Sequence, residues 1–371
     1  MTRSAAPTRT FSRLIVTGGA GFIGSNFVHR TLETCPDVHI HVVDAMTYAA
    51  NPGNLVGEGG APLDELYPGR FRFSRLDIVD ATAIDALIQE EVREAEIPAK
   101  ANGGSPSGEV AIVHFAAESH NDNSLRDPGI FARTNVEGTV NLAEAAARHG
   151  AHLHHVSTDE VFGDLDLEDP ARFQVDSPYR PSSPYSASKA AADHFVRAFV
   201  RSRGLKATIS NCSNNYGPRQ HPEKFIPRQV TGLIEGEKPR LYGAGENVRD
   251  WIHVDDHNDA VWRILECGDI GETYLIGAEG ERSNRQVVES LLAVFGRPRD
   301  EFVHVTDRPG HDRRYAIDPR SMEALGWAPR HRNFEEGLAH TVRWYRENQD
   351  WWRRAREASE RKYRASEKEL N

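Results

Sequence analysis

The stretch VTGGAGFIGSNF, residues 16–27, constrains the fold more than any other part of the chain. It joins the apolar run RLIVTGG (13–19) to an amphipathic one through Gly18, Gly21 and Gly24. Small residues permit a tight turn, let a helix pack on the strand before it, and leave the helix's first N–H groups open to an anion. The same alternation continues. HIHVVDA (39–45), FRFSRLDI (71–78), VAIVHFAA (110–117), HLHHVSTDEVF (152–162) and KATISNCSN (206–214) read as strands, separated by stretches such as TNVEGTVNLAEAAARHG (134–150). Strands alternating with helices imply right-handed crossovers and an α/β fold with a doubly wound parallel sheet.

Beyond about residue 215 the pattern breaks up, with many Pro, Arg and His, which suggests a smaller α/β unit on the sheet's carboxyl edge. The expected division is a flexible tail over 1–11, a cofactor domain over 12–211 with about 241–265, and a substrate domain over 212–240 with about 266–371. GEGGAPLDELYPG (57–69) and PAKANGGSPSGE (98–109) read as surface insertions, and the last 28 residues as a charged surface helix.

Composition removes several classes. Acidic residues outnumber basic ones, 55 to 45, so a nucleic-acid partner is not expected. Cys35, Cys212 and Cys267 are odd in number and far apart, which disfavours a disulfide framework and suits a reducing cytoplasm. Neither a signal peptide nor a membrane span is expected. No metal site is expected: His253 and His257 stand four apart in HVDDH without a clustered third ligand.

The glycine turn has a partner. Asp44 ends the second strand 20 residues after Gly24. An acid there accepts hydrogen bonds from a ribose and repels a 2′-phosphate, so NAD is favoured over NADP. By the carboxyl-edge rule Asp77 and Ile78, then Phe115, Ala116 and Ala117, flank the same ligand.

In SSPYSASKAAADHFVRAFV, Ser183 caps a helix and Pro184 opens it. Tyr185 and Lys189 then share one face. An ammonium beside a phenol draws the phenol's pKa down from ~10 and makes a base for an alcohol. Asp159 and Glu160 follow the strand end Ser157-Thr158. Neighbouring side chains on a turning backbone point different ways, so the two acids can reach different atoms of one substrate. Arg249 and Arg308 are candidate diphosphate clamps.

These motifs resemble those of the extended short-chain dehydrogenase/reductases, and more narrowly the dTDP-glucose 4,6-dehydratase family of deoxysugar (rhamnose) synthesis. TGGAGFIGSNF, HFAAESHNDNS, STDEVFGDL, SSPYSASKAAADH, NCSNNYGPRQHPEKFIP, VRDWIHVDDH and DRPGHDRRYAID carry the resemblance, from about residue 13 to 345. It implies a Rossmann-type fold, tightly bound and recycled NAD, dTDP-glucose as substrate, and a homodimer through a four-helix contact. The implied reaction oxidises C-4, eliminates water across C-5 and C-6, and returns hydrogen to C-6. Sister epimerases lack the acid pair. The residues alone leave a uridine-linked sugar, an epimerase or a non-catalytic NAD-binding regulator open.

Carried over position by position, the resemblance makes Thr158 a contact near the sugar 4-hydroxyl, Asp159 the acid, Glu160 the C-5 base and Tyr185 the oxidation base. Lys189 holds the nicotinamide ribose. Phe22, Ile23, Ala45, Met46, Thr47, Ser119, Thr134 and Asn215 join the cofactor set. Ser119, Asn214, Lys224, Phe225, Arg240, Leu241, Tyr242, Arg249 and Asn284 join the sugar-nucleotide set, with Asp307, Arg308, Pro309, Gly310 and His311. The chain departs from the pattern at Asn121 and Asn123, where many members have Val and Arg, at Phe162, where Tyr is commoner, and in RQHPEK.

Overall fold

The computed structural model describes residues 8–57, 59–96, 108–306 and 312–366, with side chains to 363. Seven strands form one sheet: β1 (Phe11–Thr17), β2 (His39–Asp44), β3 (Phe71–Arg75), β4 (Glu109–His114), β5 (His152–Thr158), β6 (Lys206–Cys212) and a late strand, Thr273–Ile276. In chain order the elements between are β7 (Asn214–Tyr216), β8 (Arg240–Tyr242) and β9 (Val248–His253), so the late strand is β10. The order β10-β6-β5-β4-β1-β2-β3 is parallel throughout. It reverses direction between β1 and β4, and a doubly wound sheet opens its ligand crevice at that point.

Two apolar cores cover the two faces. Leu14, Val16 and Val42 point to one, and Ile15, Val43 and Ile112 to the other, as the two-residue period of a strand requires. A third core, with Tyr216, Val230, Leu241, Leu291, Leu338 and Trp352, belongs to the smaller unit. There β11 (Glu281–Ser283), β9 and β7 make a three-stranded sheet, and β8 pairs with β12 (Val303–Val305).

Several sequence expectations change here. The late strand Thr273–Ile276 extends the large sheet beside β6, although the sequence reading left 266–371 to the smaller unit. Residues 9–11, expected in a tail, are held: Phe11 is buried, and the Arg9 guanidinium donates to the carbonyls of Ile264, Leu265 and Gly268 at the end of the helix Val254–Cys267. Those carbonyls lack helical partners, so a cation there is stabilising. Within 57–69, a short helix Leu63–Leu66 buries Leu63 in the core, so that insertion is not wholly superficial. Most of the 98–109 stretch lies outside the described residues. The C-terminal helix Gln349–Ser366 is docked rather than superficial. Trp352 is fully buried with its Nε1 donating to Tyr345, and Glu360 pairs with Arg228 at 2.7 Å.

Candidate functional site

The carboxyl ends of β1, β4, β5 and β6 surround a cavity of about 360 Å³. On its β1 side, Gly18 adopts φ +70°, and a Cβ there would stand 2.6 Å from the Ala116 nitrogen. A Cβ on Gly24 would stand 2.4 Å from the Gly18 carbonyl oxygen. The turn therefore needs glycine at both positions. The helix Phe22–Thr34 starts at Gly21 with no side-chain cap, leaving its first N–H groups for an anion. Asp44 is buried and accepts from the backbone N–H of Ala20 at 3.0 Å and of Met46 at 2.8 Å. Burial raises its pKa and those two bonds oppose the rise. Each of its oxygens keeps a lone pair for a ribose hydroxyl.

Gly18, Gly21, Phe22, Ile23, Gly24, Asp44, Ala45 and Thr47 all line the cavity; Met46 does not, and meets it through its N–H bond to Asp44. Asp77, Ile78, Phe115, Ala116, Ala117, Ser119, Thr134 and Asn215 complete the wall expected for a cofactor. Buried polar atoms normally have partners. Here the Ser157 and Ser213 hydroxyls and the side-chain oxygens Asp159 Oδ2, Asn214 Oδ1 and Asn215 Oδ1 have none among the described residues, and all five residues face the cavity. A polar ligand with ribose and diphosphate groups, such as a dinucleotide, fits this donor and acceptor set.

The reactive group sits where β5 ends. Asp159–Phe162 form one turn of 3₁₀ helix, begun by Thr158, whose hydroxyl accepts from Glu160 N and donates to Asp159. This turn brings Thr158, Asp159 and Glu160 to one wall. The facing helix Pro184–Arg203 is fixed by a capping box between Ser183 and Ser186, with Pro184 at its first position. It places Tyr185 and Lys189 in the same cavity as Thr158.

Electrostatics separates the acids. Burial, then Glu160 and Asp250, push Asp159 well above the usual carboxylate range and favour its protonated form. Burial also raises Glu160, but the Asn121 amide and the Arg249 charge favour its ionised form. One carboxyl is thus suited to give a proton and its neighbour to take one. Lys189 differs from expectation. Burial lowers it to about 8, and its Nζ donates to the Val156 carbonyl at 2.8 Å. Tyr185 is raised chiefly by burial and then by Glu160, and is not drawn toward neutrality in the ligand-free cavity.

The sugar-nucleotide set divides. Ser119, Thr158, Asn214 and Lys224 line the cavity. Phe225 stacks on Trp251, Leu241 is fully buried in the smaller core, and the Tyr242 hydroxyl is bonded to Arg228. Arg240 lies on β8, bonded to Gln229 through its backbone, and Asn284 begins the helix Asn284–Val294. Arg249 does not present a free fork: it donates to the carbonyls of Val248 and Asp312 and lies 4.3 Å over the Tyr315 ring. Asp307, Arg308, Pro309, Gly310 and His311 lie outside the described residues. Sequence reasoning missed Tyr48, Gln220, His221 and Glu223, which also line the cavity. The last three sit in or beside RQHPEK, a stretch noted only as a departure.

His253 gathers with Asp255 and His331 within 4.8 Å, rather than with His257. His253 stacks on His331 at 4.1 Å, its Nδ1 accepts from Asp255 N, and its Nε2 lies 3.5 Å from His340. The His331 Nδ1 also lies 3.3 Å from the Asp256 carboxylate, so an acid and stacked rings surround this group.

A cavity at the sheet's switch point, carrying tyrosine and lysine one helical turn apart beside the glycine cradle, defines a dinucleotide-dependent α/β protein of the short-chain dehydrogenase/reductase kind. The family model described as GDP-mannose 4,6 dehydratase matches residues 15–341, and the chain belongs to that family. It is 56% identical over 352 residues to a dTDP-glucose 4,6-dehydratase of Mycolicibacterium smegmatis, covering 95% of this chain and 98% of that protein. A dTDP-glucose 4,6-dehydratase of Streptomyces griseus is 44% identical over 345 residues, 92% of this chain and 96% of that one. Among solved structures, DesIV, a dTDP-glucose 4,6-dehydratase from Streptomyces venezuelae with NAD and TYD bound, matches with TM-score 0.80 at 44% identity, covering 92% of this chain and 99% of that chain.

Proposed function

We propose that the chain is an NAD-dependent dTDP-glucose 4,6-dehydratase that makes the 4-keto-6-deoxy sugar nucleotide for deoxysugar synthesis. The observation that carries this reading is the acid pair Asp159–Glu160 lining the same cavity as Tyr185. The names of relatives at 44% and 56% identity support the thymidine-linked glucose.

Bound NAD supplies the oxidising and reducing equivalents of the cycle. Tyr185, acting as a phenolate that Lys189 and the positive charge of bound NAD would stabilise, takes the proton of the sugar 4-hydroxyl as C-4 becomes a ketone. The ketone acidifies C-5, because the carbanion spreads its charge onto oxygen. Glu160 removes the C-5 proton. Asp159, protonated, gives its proton to the hydroxyl leaving C-6, and water departs. Each positioned proton-transfer group is worth about 10²–10⁴ in rate. Lys189 would hold the ribose, and Ser119, Asn214 and Lys224, which line the same cavity, would meet the sugar nucleotide.

The division of labour follows the cores. The seven-stranded unit takes the cofactor and the smaller unit the nucleotide. The working form is a cytoplasmic homodimer. Its support is the pair of adjacent helices Gly138–His149 and Pro184–Arg203, rich in small residues, with Phe195 43% exposed. No helix among the described residues is long and apolar enough to cross a membrane. A monomer in light scattering at micromolar concentration would contradict the dimer.

Incubation with dTDP-glucose, UDP-glucose and GDP-mannose in parallel tests the function. The 4-keto product should form fastest from dTDP-glucose. A 4-epimer, or preference for another nucleotide, contradicts the reading.

A further inference from the structure

Asn121 stands between the two halves of the reactive group. Its Nδ2 donates to Glu160 Oε2 at 3.0 Å, and its Oδ1 accepts from the Ser183 hydroxyl at 3.1 Å. Ser183 is the cap of the helix that carries Tyr185 and Lys189. The Ser183 oxygen accepts from Ser186 N, while the Ser186 hydroxyl can donate to the Ser183 carbonyl, so the Ser183 proton is directed at Asn121. The amide is therefore oriented from both sides: its oxygen faces a hydroxyl donor and its nitrogen faces a carboxylate. Valine, which many members of the resembling family carry at this position, can make neither bond.

We propose that Asn121 is a positioning residue for Glu160, holding one carboxylate oxygen, leaving the other to receive the substrate proton, and fixing the base to the helix of Tyr185. This rests on the reading of Glu160 as the C-5 base. A carboxylate with one oxygen held by an N–H is oriented before it reacts, and the bond favours its ionised form. Among the described residues Asn121 makes the one side-chain hydrogen bond to Glu160. The charged and titratable groups around Glu160 are Asp159 on its own turn, Tyr185 on the facing helix, Lys224 before the helix Phe225–Ile234, Arg249 on β9, and Asp312 and Tyr315 on the segment beyond. Asp312 opposes ionisation, and Lys224 and Arg249 assist it. None replaces the directed N–H.

Asn121→Val and the isosteric Asn121→Asp separate positioning from fold. In Asn121→Val the acidic limb of the kcat/KM profile, which reports ionisation of the base, should move up by about one pH unit. In Asn121→Asp a like charge faces Glu160, and the limb should move further. Single-turnover oxidation at C-4, read as reduced-cofactor absorbance, should stay within about twofold in Asn121→Val while elimination slows about tenfold, so that absorbance accumulates. A limb unmoved in both variants, or oxidation and elimination falling in parallel, overturns the proposal. Glu160→Gln tests the underlying reading separately: elimination at the wild-type rate in that variant removes Glu160 as base, whatever Asn121 does.

Discussion

The side-chain nitrogen of Asn211 donates both to the Asp193 carboxylate and to the Thr158 carbonyl, each at 3.1 Å. Asp193 lies one turn beyond Lys189 on the same helix, is fully buried, accepts from Tyr179 at 2.7 Å and stands 3.2 Å from His155. The strand end that presents the acid pair is thereby tied to the helix that presents Tyr185. Asp193→Ala leaves several buried donors unmatched. It should cost about 3–5 kcal/mol in urea unfolding and also slow elimination. A loss below about 1 kcal/mol would mean that this network is not holding the site.

Buried imidazoles set the acid limit of stability. Burial lowers His29, His155 and His257 to about 4 and His152 to about 3. Between pH 6.5 and 4 the unfolded chain binds these protons and the folded chain does not, so stability falls as pH falls through that window. Each group contributes up to about 1.4 kcal/mol per pH unit there. The urea midpoint should drop steeply from pH 6.5 to 4.5; a flat profile contradicts the burial of these rings as neutral groups.

Asp159 runs the other way. Its folded pKa is raised, so the folded state binds the extra proton and stability is lost as pH rises through and above the usual carboxylate range. Asp159→Asn should therefore raise the unfolding temperature at pH 8, with the difference from wild type shrinking toward pH 4. The same variant should eliminate water about 10²–10⁴ more slowly. A less stable variant at pH 8 would contradict the assigned burial cost.

Asp44→Ala removes the acceptor for two backbone N–H groups as well as the ribose contact. NAD affinity, read by fluorescence titration of stripped protein, should fall at least about tenfold, and the preference for NAD over NADP should narrow. Unfolding without cofactor should also move to lower temperature, because the carboxylate clamps the glycine turn to β2. An unchanged preference would remove Asp44 as the discriminating group.

The legible parts of this molecule were local. Gly18, Gly21 and Gly24 lie within one turn, Tyr185 and Lys189 within another, and Asp159 and Glu160 are adjacent, so their chemistry shows as spacing. What escaped depends on contacts far apart in the chain. The Asn121–Glu160 bond spans 39 positions and the Asn211–Thr158 bond 53. Arg9 reaches a helix end 256 residues on, and no local pattern reports that. The four-residue strand Thr273–Ile276 is too short to show a period, and pairing with β6 alone makes it part of the sheet. The three histidines of β5 show the same dependence on distant partners. They are buried, and His154 is matched to Thr208 and Ser210 on the neighbouring strand.

The most direct measurement follows hydrogens through the reaction. Tyr185 takes only a proton from the 4-hydroxyl, so the hydrogen on C-4 must leave by another route and return within the same turnover. Glu160 exchanges with solvent after removing the C-5 proton. Substrate deuterated at C-4 and run in ordinary water should give product with deuterium at C-6, and a mixture with unlabelled substrate should show little crossover. Unlabelled substrate in heavy water should gain deuterium at C-5. Mass spectrometry of the product reads each label. Deuterium returned to C-4 with the C-6 hydroxyl intact, or released to the bulk cofactor pool, contradicts an internal cycle run by Tyr185, Glu160 and Asp159.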